Sequence, residues 1–149
     1  MQIGSLEKGK IAEYAVFREL LKRGVIPYVP VTDTKGIDAI IRKKDGRLVE
    51  IQVKGTYSDE MQGSFNIGDL TPRDNFFIVG VVCEGNEPEN CEYWVFPSKV
   101  FHQEAQQIRD PKTGYTIFRL DIYSGKRKRG ALLKDILRQY KNNWDPLVE

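Results

Sequence analysis

The run Arg47-Leu48-Val49-Glu50-Ile51-Gln52-Val53-Lys54 constrains the chain more than any other stretch, because apolar and polar residues alternate strictly from Val49 to Lys54. A period of two is the pattern of a β-strand with one covered and one polar face. Val49, Ile51 and Val53 take the covered face, and Glu50, Gln52 and Lys54 follow one another along the other. Just upstream, Gly36-Ile37-Asp38 opens a second apolar-rich segment, 37–42, which Lys44-Asp45-Gly46 joins to the first as a hairpin. A two-residue Asp45-Gly46 turn would pair Asp38 with Val53 and point the aspartate away from Gln52 and Lys54. A three-residue Lys44-Asp45-Gly46 loop sets it opposite Gln52, on the same face. Glycine in the third place of such a loop supplies the left-handed backbone it needs, which favours the longer loop. An acid, an amide and a lysine on one sheet face are what metal-assisted phosphodiester cleavage employs. Each also has a plainer explanation: a polar strand face is commonly just solvated, and an aspartate near glycine commonly closes a turn.

The elements around this hairpin follow from periodicity and punctuation. A helix is predicted over 6–23, stopped by Gly24, with Lys22 and Arg23 in its last turn as the helix dipole favours. At about 100° per residue, Leu6, Val16, Phe17, Leu20 and Leu21 share an arc with Glu13 near its middle, while Glu7 and Glu19 fall outside. A carboxylate within a core-facing stripe is costly unless paired or metal-bound. Glu13 therefore calls for either a salt bridge to a Lys or Arg at the core edge or a place among the metal ligands. Residues 25–31, with Pro27 and Pro30, predict an edge strand or covered loop. Residues 57–75 predict a long Gly-, Asp-, Asn- and Ser-rich connection with a short strand near 65–67. The unbroken apolar run 76–82 predicts a central strand buried on both faces. A polar turn over 84–90, a strand at 91–96, a short helix from 98, a strand at 115–123 and an amphipathic helix over 131–140 complete the chain. The order predicts one domain over 1–149, built on a mixed sheet flanked by helices.

Several function classes lack equipment. The single histidine, His102, leaves zinc sites of the Cys/His kind and histidine-metal nucleases without ligands, and is read as a partly exposed structural residue. Cys83 and Cys91 are expected as two core thiols of a reducing compartment. The opening Met1-Gln2-Ile3-Gly4-Ser5 has no secretory pattern, and the longest apolar run, 76–83, is far short of the roughly 20 residues a membrane helix needs. A cytoplasmic protein without membrane contact is expected. The net charge of +2 decides nothing about nucleic acid, so clustering must. Arg42, Lys43, Lys44 and Arg47 collect at the hairpin turn, and Lys126, Arg127, Lys128 and Arg129 lie between Gly125 and Gly130. Each cluster is either a solvated loop or a grip on a phosphate backbone.

These residues together resemble the PD-(D/E)XK nuclease superfamily. Lys8-Gly9-Lys10-Ile11-Ala12-Glu13, followed by Leu20-Leu21-Lys22-Arg23-Gly24, is similar to the opening helix of archaeal Holliday junction resolvases, whose helix glutamate matches Glu13. Gly36-Ile37-Asp38 resembles the first acidic motif, and Gln52-Val53-Lys54 stands in the place of (D/E)XK. Glutamine there resembles the Gln-X-Lys subset that includes small intron-encoded homing endonucleases. The resemblance covers residues 7–56. It implies a restriction-endonuclease-like αββαβ core and a site-specific DNA endonuclease of homing type, with a junction resolvase, a restriction enzyme or a silent DNA-binding module as alternatives. It further implies Mg2+ or Mn2+ held by Asp38, Gln52, the Val53 carbonyl and Glu13, with Lys54 beside the attacking water and Glu50 as a possible addition. Lys43, Lys44, Arg47 and residues 126–129 would grip double-stranded DNA. Cutting both strands implies a homodimer or homotetramer.

Overall fold

A computed structural model describes residues 4–32, 36–58, 63–84, 88–124 and 127–149. Helix α1 (Ser5–Lys22) is followed by strands β1 (Ala39–Arg42), β2 (Leu48–Ser58), β3 (Ser64–Gly68), β4 (Phe76–Glu84) and β5 (Cys91–Pro97). Then come α2 (Ser98–Glu104), β6 (Gln106–Arg109), β7 (Thr116–Asp121), β8 (Arg127–Lys128), β9 (Ala131–Leu132), α3 (Leu133–Ile136) and α4 (Asp145–Val148). The main sheet runs β1-β2-β4-β5, with β2 and β4 parallel and the other pairs antiparallel. This is the mixed α+β architecture expected, a mixed central sheet with flanking helices. Parallel neighbours need a crossover, and here it carries strand β3 where a helix is the commoner device. β3 joins β7 and β6 in a second, antiparallel sheet.

The main sheet has a core on each face. On one, Ala12, Ala15, Val16 and Leu20 of α1 pack on Val49, Ile51 and Val53 of β2 and on Val79 and Val81 of β4. On the other, Phe65, Phe118 and Leu120 of the second sheet pack with Ile78, Phe96 and Phe101. β4 is central and buried, as its unbroken apolar run predicts. Gly24 ends α1 as expected: at φ +79° it allows Gly24 N–H to reach Leu21 O and Val25 N–H to reach Leu20 O, at 3.0 and 2.9 Å.

The structure corrects four expectations. Leu6 and Leu21 are exposed, because the small Ala12 and Ala15 bring a different face of α1 against the sheet. Residues 25–31 make only an isolated bridge, Tyr28 to Ile40. The helix expected over 131–140 breaks after Ile136 into a 3-10 turn at Arg138–Tyr140. Beyond the break Asn142 docks on β5, its N–H reaching Tyr93 O at 2.6 Å and its amide oxygen accepting from Tyr93 N–H at 2.9 Å. Cys83 and Cys91, expected as separate thiols, are disulfide-bonded because the β4–β5 hairpin makes them direct cross-strand partners. Among the described residues, four elements escaped the sequence reading, β6, β8, β9 and α4. Among the described residues, no helix is long and apolar enough to cross a membrane.

Candidate metal and phosphodiester site

The hairpin fixes the site. Ala39 pairs with Ile51 and Arg42 with Leu48, and Lys43 N–H reaches Arg47 O, so the loop is Lys44-Asp45-Gly46, with Gly46 at φ +90°. The three-residue loop is the one the glycine position favoured. At Asp38 the ladder breaks, because its N–H donates to Ile51 O at 2.8 Å although Ile51 already faces Ala39. Two residues thus meet one, as in a bulge, and such a break re-aims a side chain. The Asp38 carboxylate turns along the open edge of β2 and accepts Val53 N–H at 2.7 Å. Neighbouring N–H and carbonyl of one strand residue share an edge, so the Val53 carbonyl faces the same opening.

From that edge the carboxylate is reachable from both faces of the sheet. α1 brings Glu13 from one side, and β2 brings Gln52 and Lys54 from the other. All four, with Val53, Gly36 and Lys10, line a cleft of about 310 Å³. Burial raises the Asp38 carboxyl to about 7, the Val53 N–H opposes that rise, the hydrogen-bonding Glu13 adds to it, and the Lys54 charge works against it. Glu13 has its nearest cation one helical turn back, where Lys10 Nζ lies 3.0 Å away with its own side chain largely in solvent. The salt bridge that the helix pattern allowed as an alternative therefore exists, at the mouth of the cleft.

The donors suit a hard divalent cation. Two carboxylates, a primary amide and a backbone carbonyl are all oxygen ligands, the set that magnesium and manganese take. The acid pair shares a half-buried place with too little positive charge, which a cation would relieve. Gly36, at φ +80°, keeps room for the amide: a Cβ there would come 2.8 Å from Gln52 Nε2. Among the described residues no three His, Cys, Asp or Glu side chains converge, so a cation held here would need the amide to complete its donor set.

The other named residues are placed as follows. Glu50 is held in a fork by Arg73, Nη2 to Oε2 at 3.0 Å and Nε to Oε1 at 3.3 Å, with the guanidinium 4.1 Å over the Phe76 ring. It is turned to that pair and does not line the cleft. Arg47 is tied to Asp45 within the loop at 2.7 Å. Lys43, Lys44 and Arg47 sit at the far end of β2, about 20 Å from Lys54 by strand rise. Lys128 and Arg129 pair with Glu104 at 3.3 and 2.9 Å, and Arg127 Nη2 donates to Gly130 O at 3.2 Å. Lys126 lies outside the described residues. His102 stacks on Phe118, a structural role as expected. Lys10 and Arg73 were missed. The Lys-Gly-Lys spacing before Glu13 held the signal for the first; nothing local marked the second.

No protein-family model and no curated protein matches the chain. Among solved structures, the chain is similar to the bacterial homing endonuclease I-Ssp6803I at 23% identity, with a TM-score of 0.59 over 99% of this chain and 93% of that one. At that identity the likeness speaks for the fold.

Proposed function

We propose that the chain is a metal-dependent DNA endonuclease of the PD-(D/E)XK kind, cutting duplex DNA at a specific site in the manner of a homing enzyme. One observation carries this reading: Glu13, Asp38, Gln52, Val53 and Lys54, from a helix, a bulge and a strand, line one cleft. The likeness of nearly the whole chain to a homing endonuclease structure supports it.

Asp38, Gln52 Oε1, Glu13 and the Val53 carbonyl would hold Mg2+ or Mn2+. Such an ion, when bound, supplies Lewis-acid stabilisation of phosphate charge and lowers the pKa of water. Val53 N–H fixes the Asp38 carboxylate in place. Lys54 orients the attacking water and offsets charge developing on the phosphate. Glutamine in place of an acid removes one negative charge from the ligand set, and Glu13 makes up for it. The Arg73 fork keeps Glu50 off the cleft. Both strands of a duplex need cutting, so a homodimer or homotetramer presents paired sites.

The amide at position 52 favours one second reading, a module that binds DNA without cutting. Supercoiled plasmid, a long genomic fragment and a four-way junction, each with magnesium or with chelator, separate the readings. Magnesium-dependent cutting of duplex that is lost in Lys54→Ala while binding persists supports the endonuclease. Binding without cutting by the native chain supports the silent module, and preference for the junction supports a resolvase.

A further inference from the structure

The second sheet turns one face to the core and one outward, and the outward face carries a row of chemistry the cleft does not use. Asn66 of β3 is the cross-strand partner of Arg119 of β7, which is in turn the partner of Gln106 of β6. All three are exposed. The neighbouring row is Gly68, Ile117 and Ile108. Amide, guanidinium and amide are the side chains that pair with adenine and guanine edges in the major groove, and small apolar groups meet the thymine methyl.

We propose that this face of the β3–β7–β6 sheet reads bases in the major groove of a DNA duplex. The inference rests on the endonuclease reading and extends it to specificity. Three features set the face apart from an ordinary wet sheet. Asp121, its side chain 13% exposed, accepts from Arg119 Nε at 3.2 Å, which presets the guanidinium through Nε and leaves its two terminal nitrogens outside that ion pair. Asp121 is also the single acid in the three strands, and it holds the arginine. A hollow of about 360 Å³, lined by Gln106, Arg119, Arg127 and Lys128 together with the acids Glu104 and Asp121, joins the row to the basic segment, where phosphates would compete with Glu104 for the cations.

Scale and placement agree. Adjacent strands lie about 4.8 Å apart, so the row spans about 10 Å, within a groove about 12 Å wide. A groove of about 870 Å³ runs from Gln52 in the cleft to Gly68 and Tyr115 at the end of this sheet. A duplex seated along it presents a phosphate to the cleft and neighbouring base pairs to the row.

The test selects randomised duplexes on the Lys54→Ala chain alone and with Arg119→Lys or Asn66→Ala added, while the native chain is assayed for binding and plasmid cutting. Thermal unfolding checks that each variant folds. Arg119→Lys keeps the charge and loses the fork, so preference is expected to relax roughly ten- to a hundredfold at one base pair and to stay unchanged elsewhere. Asn66→Ala should relax an adjacent one. Identical preference at every position, or a uniform loss of affinity for all sequences, overturns the inference while leaving the nuclease reading in place. A native chain that neither binds nor cuts any duplex overturns both.

Discussion

Two carboxylates in this molecule, the buried Glu92 and the half-buried Asp38, are treated in opposite ways. Glu92 on β5 is 8% exposed and fully partnered: Lys141 Nζ lies 3.0 Å from Oε2, Trp94 Nε1 donates to Oε1 at 3.3 Å, and the Tyr123 hydroxyl donates to the same oxygen. Burial, with Glu92 behind it, pushes the Tyr123 phenol well above its usual range, so it stays a donor. Asp38 receives one backbone N–H, and its nearest acidic neighbour is another carboxyl. The first arrangement ties a strand to the C-terminal segment. The second leaves negative charge only partly offset, by Lys10 and Lys54, at an open edge, which costs stability unless a cation or a proton is bound. Under the endonuclease reading proposed above, that difference separates an acid kept for structure from one kept for chemistry.

The comparison breaks most visibly in cleavage. Asp38→Asn or Lys54→Ala should lower magnesium-dependent DNA cutting by roughly a hundred- to a thousandfold, while Glu92→Ala leaves the cutting rate of folded protein unchanged; single-turnover rates on a fixed duplex check it. In stability the ranking reverses. Glu92→Ala strands Lys141 and two donors and should cost about 2–3 kcal/mol in urea unfolding. Asp38→Asn should instead stabilise the metal-free chain at pH 8 by about 1–2 kcal/mol, a figure reduced for solvent screening in a half-open cleft.

pH sharpens the same contrast. Asp38 holds its proton up to about 7 in the folded chain against 3.8 for a free carboxyl, so between those values the folded state binds more protons. Without metal, stability should therefore fall as pH rises from about 4 to about 7, and Asp38→Asn should flatten that slope. Magnesium competes with the proton, so it should raise the melting temperature more at pH 8 than at pH 6. The smallest expected effect is at Gly36. Gly36→Ala should cost about 1 kcal/mol through its positive φ and weaken magnesium binding by crowding Gln52, measurable by calorimetry.

The sequence made the hairpin legible because loop length, glycine position and alternation all demand one register. Gly24 and the β4 run were legible for the same reason, each carrying its own local signal. The packed face of α1 was not, since helical-wheel reasoning weights large residues and here Ala12 and Ala15 set the approach to the sheet. Strand β6, Gln106–Arg109, has no apolar alternation because it is a mostly exposed edge. Within the site, periodicity found Glu13, Asp38, Gln52 and Lys54, but the bulge that aims Asp38 along the strand edge depends on which backbone groups are left at the end of β1. Arg73 on Glu50 and Glu104 on the basic segment are pairings across 23 and 25 residues, set by the tertiary fold alone.

The decisive experiment is the anomalous difference map of a manganese-soaked crystal. A peak is expected about 2.1 Å from an Asp38 carboxylate oxygen and from Gln52 Oε1, with the Val53 carbonyl and Glu13 within the same shell. A peak elsewhere, or none in the cleft at saturating metal with Asp38 still turned to Val53 N–H, would contradict the metal site.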